Sequence, residues 1–272
     1  MRGWLLVGIA ACGTADHAWV QADPTPDPTC TGLYGRPSES TGLTGDQCAP
    51  QIAGDAPWTP TPFTDDALDA LRAWTLSNPP PVPEVDPYEA TPDLTPDGAA
   101  VCAILFDDDA TYRVETVADP AAATAAGGYV THGGACGACS SLEDLAVYAG
   151  IADLTGPVRQ CGLQGLSGDV DGVVACLSEL GFSPPCAKIW AYNVQHTRQQ
   201  CFDTCIALLT APYHNPDGSL NDCIQCDEDL SGDVFKAVAG RTRRNSGLAT
   251  ALCRPCDTVW RVDHGYALPT AD

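Results

Sequence analysis

The chain has 272 residues, of which 15 are cysteine, and a formal net charge of −22 from 35 acidic against 13 basic residues. So acidic a chain repels polyphosphate and anionic membrane surfaces, which excludes nucleic-acid binding as its main role. Its hydrophobic content of 44% is ordinary for a globular domain.

The first element is a short apolar run, Trp4-Leu5-Leu6-Val7-Gly8-Ile9-Ala10-Ala11, that follows Met1-Arg2-Gly3 and ends at Cys12. The run is far shorter than the about 20 apolar residues a membrane span requires. A positive charge, an apolar segment and small residues before a cysteine resemble the export signal of a bacterial lipoprotein, with Ile9-Ala10-Ala11-Cys12 as its lipobox. The resemblance implies cleavage after residues 1–11 and a diacylglycerol on the Cys12 sulfur. It also implies a place in the bacterial cell envelope, membrane-anchored and facing the extracytoplasmic side. With Cys12 used for the lipid, 14 cysteines remain. An even number in an exported chain reads as a disulfide framework.

Residues 12–62 are rich in Pro, Thr and Asp and read as a lipid-anchored flexible tether. Cys30 and Cys48 have no other cysteine near them in sequence, so they are expected to pair and staple a loop within it. Residues 63–98 hold one helix and a proline-rich connector. Thr64 caps the helix, and Ala67, Leu68, Leu71 and Trp74 share one face over residues 65–75. Two β-prone runs, 99–106 and 111–117, flank Asp107-Asp108-Asp109-Ala110 and predict a hairpin.

Eleven cysteines lie between Cys136 and Cys256, an odd number, so Cys102 is expected to bridge the hairpin to this region. Helices are predicted from Ser141 to Tyr148, from a Ser167 cap to about Leu180, from Ser183-Pro184 to about Leu209, and from a Ser231 cap to Gly240. Cys201 and Cys205 point in parallel from one helix face and should reach different neighbours. The expected fold is therefore α+β and mainly α. It is a disulfide-rich single domain over residues 99–272 with a small β-hairpin, preceded by the Pro/Thr/Asp-rich tether.

Four constellations could carry chemistry. Gly134-Ala135-Cys136-Gly137-Ala138-Cys139-Ser140 resembles the nucleophile segment of papain-like cysteine proteases, which implies Cys139 as nucleophile and, about 125 residues on, His264 as its base. His132 is a second basic group near this segment. The pairs Cys136/Cys139, Cys223/Cys226 and Cys253/Cys256 also have the C-x-x-C spacing of zinc knuckles and thiol redox sites. Asp227-Glu228-Asp229-Leu230-Ser231-Gly232 has the D-x-D-x-S-G form of a calcium loop, with Asp227, Asp229 and Ser231 as ligands. No other cofactor is expected. Arg241, Arg243 and Arg244 form the one basic cluster. They could hold an anion, although Asp227 to Asp229 are nearer partners. The reading is a lipid-anchored extracytoplasmic binding or structural protein with a protein or small-molecule ligand. The alternative is a thiol hydrolase built on Cys139 and His264.

Overall fold

A computed structural model of the chain describes residues 24–50, 61–90, 92, 94, 98–165 and 168–267. The signal-like run, Cys12 and Ser167 lie outside the described residues. The fold is a disulfide-rich α+β domain, 43% helix and 13% strand, so helices dominate.

The helices are α1 Asp65–Ala73, α2 Pro120–Ala125, α3 Leu142–Gly150, α4 Thr155–Gln164, α5 Val170–Glu179, α6 Pro184–Ala207 and α7 Asp222–Ala239. The strands are β1 Leu33–Tyr34, β2 Thr75–Leu76, β3 Val101–Phe106, β4 Thr111–Val117, β5 Tyr129–Gly133 and β6 Arg254–Pro255. Strands β2-β4-β3-β5 form one sheet, antiparallel except where β2 joins β4, and β1 pairs with β6.

The hairpin β3–β4 forms as predicted, with Val101 opposite Val117 and Phe106 opposite Tyr112. Strand β3 is buried on both faces, and its period of two divides the interior. Val101, Ala103 and Leu105 face Ala123 of α2 and Val130. Cys102 and Ile104 face the main core with Leu71, Leu142, Leu145, Leu177 and Ile189.

Side-chain caps set two helix starts, and prolines a third. Thr64 accepts from the Ala67 amide at α1, and Ser141 accepts from the Asp144 amide at α3. Ser183 stands before Pro184 and Pro185 at α6. Asp144 then ties two of these ends together. Its carboxylate accepts from Ser141 Oγ at 2.6 Å, from the Ser183 amide at 2.9 Å and from Ser183 Oγ at 2.8 Å.

Seven disulfides join all fourteen cysteines from Cys30 onward, the number that parity predicts. Cys102 bonds Cys136, as expected of a bridge from the hairpin. Cys201 and Cys205 reach Cys226 and Cys223, two different partners on α7. The expected Cys30–Cys48 staple is incorrect. Cys30 bonds Cys256 and Cys48 bonds Cys253, so residues 24–50 are fastened to the end of the domain. No C-x-x-C pair closes on itself, because each of its two sulfurs belongs to a different bridge.

The last helix also differs from expectation. It starts at Asp222 with Asn221 as cap, and Ser231 is buried in its interior. The two bridges to α6 pin its first turns, and this overrides the cap signal at Leu230-Ser231-Gly232-Asp233-Val234. Helix α5 begins at Val170 with Asp169 as cap. Helix α4, which no local signal predicts, lies against α5 and α6.

Candidate functional site

The papain-like segment is a structural clamp. Cys139 is fully buried and bonded to Cys186, so the expected nucleophile has no thiol. The expected base, His264, is also buried. Its Nε2 faces the Ser246 carbonyl at 2.9 Å and its Nδ1 faces the Tyr266 hydroxyl at 3.2 Å. Gly137 is glycine because it lies backbone to backbone against the end of α7, where a Cβ would come within 2.4 Å of the Val238 carbonyl. The amides of Ala138 and Cys139 donate to the Val238 and Ala239 carbonyls. Gly240 turns the chain there at φ 71°, a left-handed conformation that glycine permits.

That turn aims Arg241 inward. Its five N–H bonds go to Cys139 O (3.0 Å), Thr131 O (3.0 Å), Ser246 Oγ (3.2 Å), Thr131 Oγ1 (2.7 Å) and Ser140 O (3.2 Å). All five acceptors are neutral. The expectation that the whole cluster pairs with Asp227 to Asp229 is therefore corrected. Arg241 is a buried girder without a contacting carboxylate, and burial lowers its pKa. Arg244 alone of the three reaches an acid, Glu228, at 3.0 Å. Arg243 donates to the Ile151 and Ala249 carbonyls and lies over the Tyr148 ring. Burial pulls it down to about 10.

The acidic run is not a loop. It is helical throughout, so Asp227 and Ser231 share the face toward α6 while Asp229 points away from them. Asp227 accepts from Thr197 of α6, Asp229 accepts from Gln225 at 2.7 Å, and Ser231 faces His196 at 2.9 Å. The three calcium ligands predicted from spacing therefore do not converge. Among the described residues no group of three or more His, Cys, Asp or Glu could hold a metal.

Burial makes the clamp sensitive to acid. Desolvation, reinforced by the Arg241 charge, holds His132 well below the usual histidine range and His264 at about 3. Both stay neutral in the fold and would be protonated in the unfolded chain below about pH 6.5. Their contribution is thus complete above that pH and is lost as pH falls, at roughly 1.4 kcal/mol per pH unit for each group. Asp144, pushed up to about 6 by burial, acts in the opposite direction between about pH 4 and 6. Asp227, also raised by burial, acts with Asp144, and His196 and His214, lowered by burial, act with the two buried histidines, so four histidines oppose two carboxyls. The urea midpoint should fall between pH 7 and pH 5. A midpoint that holds or rises over that window would contradict this account.

A cleft of about 610 Å³ lies elsewhere, between α4, α6, α7 and the loop 242–260. Disulfides frame it. Cys201–Cys226 and Cys205–Cys223 clamp α6 to α7, Cys161–Cys176 holds α4 to α5, and Cys48–Cys253 holds the loop. Gly162 lets α4 approach α6 closely, since a Cβ there would meet Val194 at 2.9 Å. Arg243 and Arg244 line this cleft, as do Arg159, Arg198 and Arg254, which no sequence motif singles out.

A family of unknown function, DUF8771, matches residues 170–262, a stretch from α5 through α7 and the arginine loop. No curated protein and no solved structure matches the chain.

Proposed function

We propose that this chain is a lipid-anchored, extracytoplasmic binding protein that holds a small ligand in the cleft between α4, α6, α7 and the loop 242–260. The observation that carries the reading is the cleft. Its volume of about 610 Å³ suits an organic ligand, and its walls are cross-linked before any ligand arrives. A cavity so framed loses little conformational freedom on binding, which favours affinity. Seven disulfides belong to an oxidising compartment, which agrees with export.

The lipobox-like run supports an anchor at Cys12. So does the cysteine inventory, since the other fourteen are bonded among themselves. The hydrolase alternative has no remaining support, because its nucleophile sulfur is in a disulfide.

Two measurements test the reading. The Cys12→Ser variant, expressed in a bacterial host that lipidates exported proteins, should leave the membrane fraction. Identical fractionation of variant and parent would remove the anchor. The neutral dye N-phenyl-1-naphthylamine should brighten on binding the oxidised domain. Leu163→Asp, a change at a rim residue 43% exposed, should weaken that binding. No dye binding, or binding indifferent to the variant, would remove the cleft as the site.

A further inference from the structure

The cleft inverts the charge of the protein around it. In a chain with 35 acidic and 13 basic residues, six basic side chains line it, Arg159, Arg198, Lys236, Arg243, Arg244 and Arg254. Among the described residues three carboxylates do so, Asp227, Glu228 and Asp233. Of these, Asp227 is turned to α6, where Thr197 and Asn193 bond it. Glu228 is shared between Arg244 and Arg254, so two guanidinium groups meet one carboxylate. Arg243 touches only carbonyls and a ring. At the loop end of the cleft Arg243, Arg244 and Arg254 therefore outnumber Glu228, the carboxylate that two of them share.

The other end is apolar. Leu163, Phe202, Ile206 and Leu209 line the cleft and are 43–46% exposed. On α6, Arg198, Phe202 and Ile206 follow one another at helical spacing along one face, and Leu209 stands just past its end. The rise of 1.5 Å per residue puts Ile206 about 12 Å beyond Arg198.

The register of α6 against α7 separates the two ends. Trp190 meets Phe235 at 4.6 Å between ring centroids, Thr197 meets Asp227, Cys201 bonds Cys226 and Cys205 bonds Cys223. On this ladder Glu228 and its arginines lie toward Trp190, and Phe202, Ile206 and Leu209 lie past Cys201, while Leu163 follows Gly162, which packs on Val194. Arg159 is the exception. It crosses the apolar end, stacked 5.4 Å over Tyr213 and 3.7 Å from Cys223 Sγ.

We propose that the cleft binds a single-chain amphiphile with an anionic head group. The head, a carboxylate or a phosphate, pairs with Arg243, Arg244 and Arg254. The alkyl chain lies along Leu163, Phe202, Ile206 and Leu209. This rests on the reading of the cleft as the binding site and adds the chemical class of the ligand. The charge excess selects the head, and the exposed apolar side chains receive the tail.

The test is titration calorimetry on the oxidised domain with palmitate, hexadecyl phosphate, hexadecanol and inorganic phosphate. Both anionic amphiphiles should bind. The tighter of the two identifies the head group, and hexadecanol should be weaker by about tenfold or more. Inorganic phosphate alone should not saturate. Arg244→Gln and Ile206→Asp, both at exposed side chains, should each weaken palmitate and hexadecyl phosphate without changing the melting temperature. Equal binding of hexadecanol and the anions would overturn the head-group assignment but leave the cleft as a binding site. Failure of every amphiphile while the neutral dye still enters would overturn the ligand class alone. Failure of the dye as well would remove the reading beneath it. A concentration-dependent dimer abolished by Ile206→Asp would assign the apolar face to a second copy of the chain and overturn the proposal.

Discussion

Replacing Arg241 should destabilise the domain by about 3–5 kcal/mol, the range expected when a buried hydrogen-bonded charge is removed from its partners. The side chain is wholly buried and uses all five of its N–H donors. Three acceptors are backbone carbonyls, of Thr131, Cys139 and Ser140, which join β5, the cysteine clamp and the start of α3 to the end of α7. Arg241→Met keeps the bulk and strands these oxygens. Arg241→Lys keeps the charge but offers three donors in place of a planar five. Both should fail. Arg243→Lys is the internal comparison. It loses two carbonyl bonds and the Tyr148 contact at a partly exposed site, and should cost about 1–2 kcal/mol. Guanidinium denaturation of the oxidised proteins would measure the ranking. If Arg241→Met came within about 1 kcal/mol of the parent, the girder would contribute no more than an ordinary surface pair.

What was legible in the sequence was what is decided locally. The caps at Thr64 and Ser141 and the prolines after Ser183 each act within one turn, and two β-prone runs with an acidic turn between them sufficed for the hairpin. Parity gave the number of bridges but not the partners of Cys30 and Cys48, which lie more than 200 residues away. Helix α4 was missed because Gly156, Pro157 and Gly162 lower its intrinsic preference, and because its residue for close packing, Gly162, looks like a breaker when read alone. The echo of Leu-Ser-Gly-Asp-Val at 166–170 and 230–234 has two outcomes. Asp169 caps a helix in the first copy, and the second sits mid-helix because disulfides fix α7 upstream. The arginine cluster was visible, but its division of labour was not. Arg241 supports the core while Arg243 and Arg244 face the cleft, and Arg159, Arg198 and Arg254 join them only through the packing of three helices and a loop.

Reduction of the oxidised domain without denaturant should abolish its cooperative fold. In the unreduced state the fourteen cysteines from Cys30 to Cys256 should take no alkylating label. The two longest links illustrate why the loss is large but not additive. Cys30–Cys256 and Cys48–Cys253 span 226 and 205 residues, and either alone would remove about 5 kcal/mol of chain entropy from the unfolded state. They are nested, however. Once one is closed, the other closes only the short ring through residues 30–48 and 253–256, so its further contribution is smaller. Removing either pair by serine substitution should therefore cost about 2–3 kcal/mol. Removing both should cost more than the sum of the two single losses. It should also free residues 24–50, whose own secondary structure is one two-residue strand and one short turn, for proteolysis. Strict additivity of the two pairs would contradict the nested arrangement. A domain that melts cooperatively after full reduction would show that its apolar core suffices without the bridges.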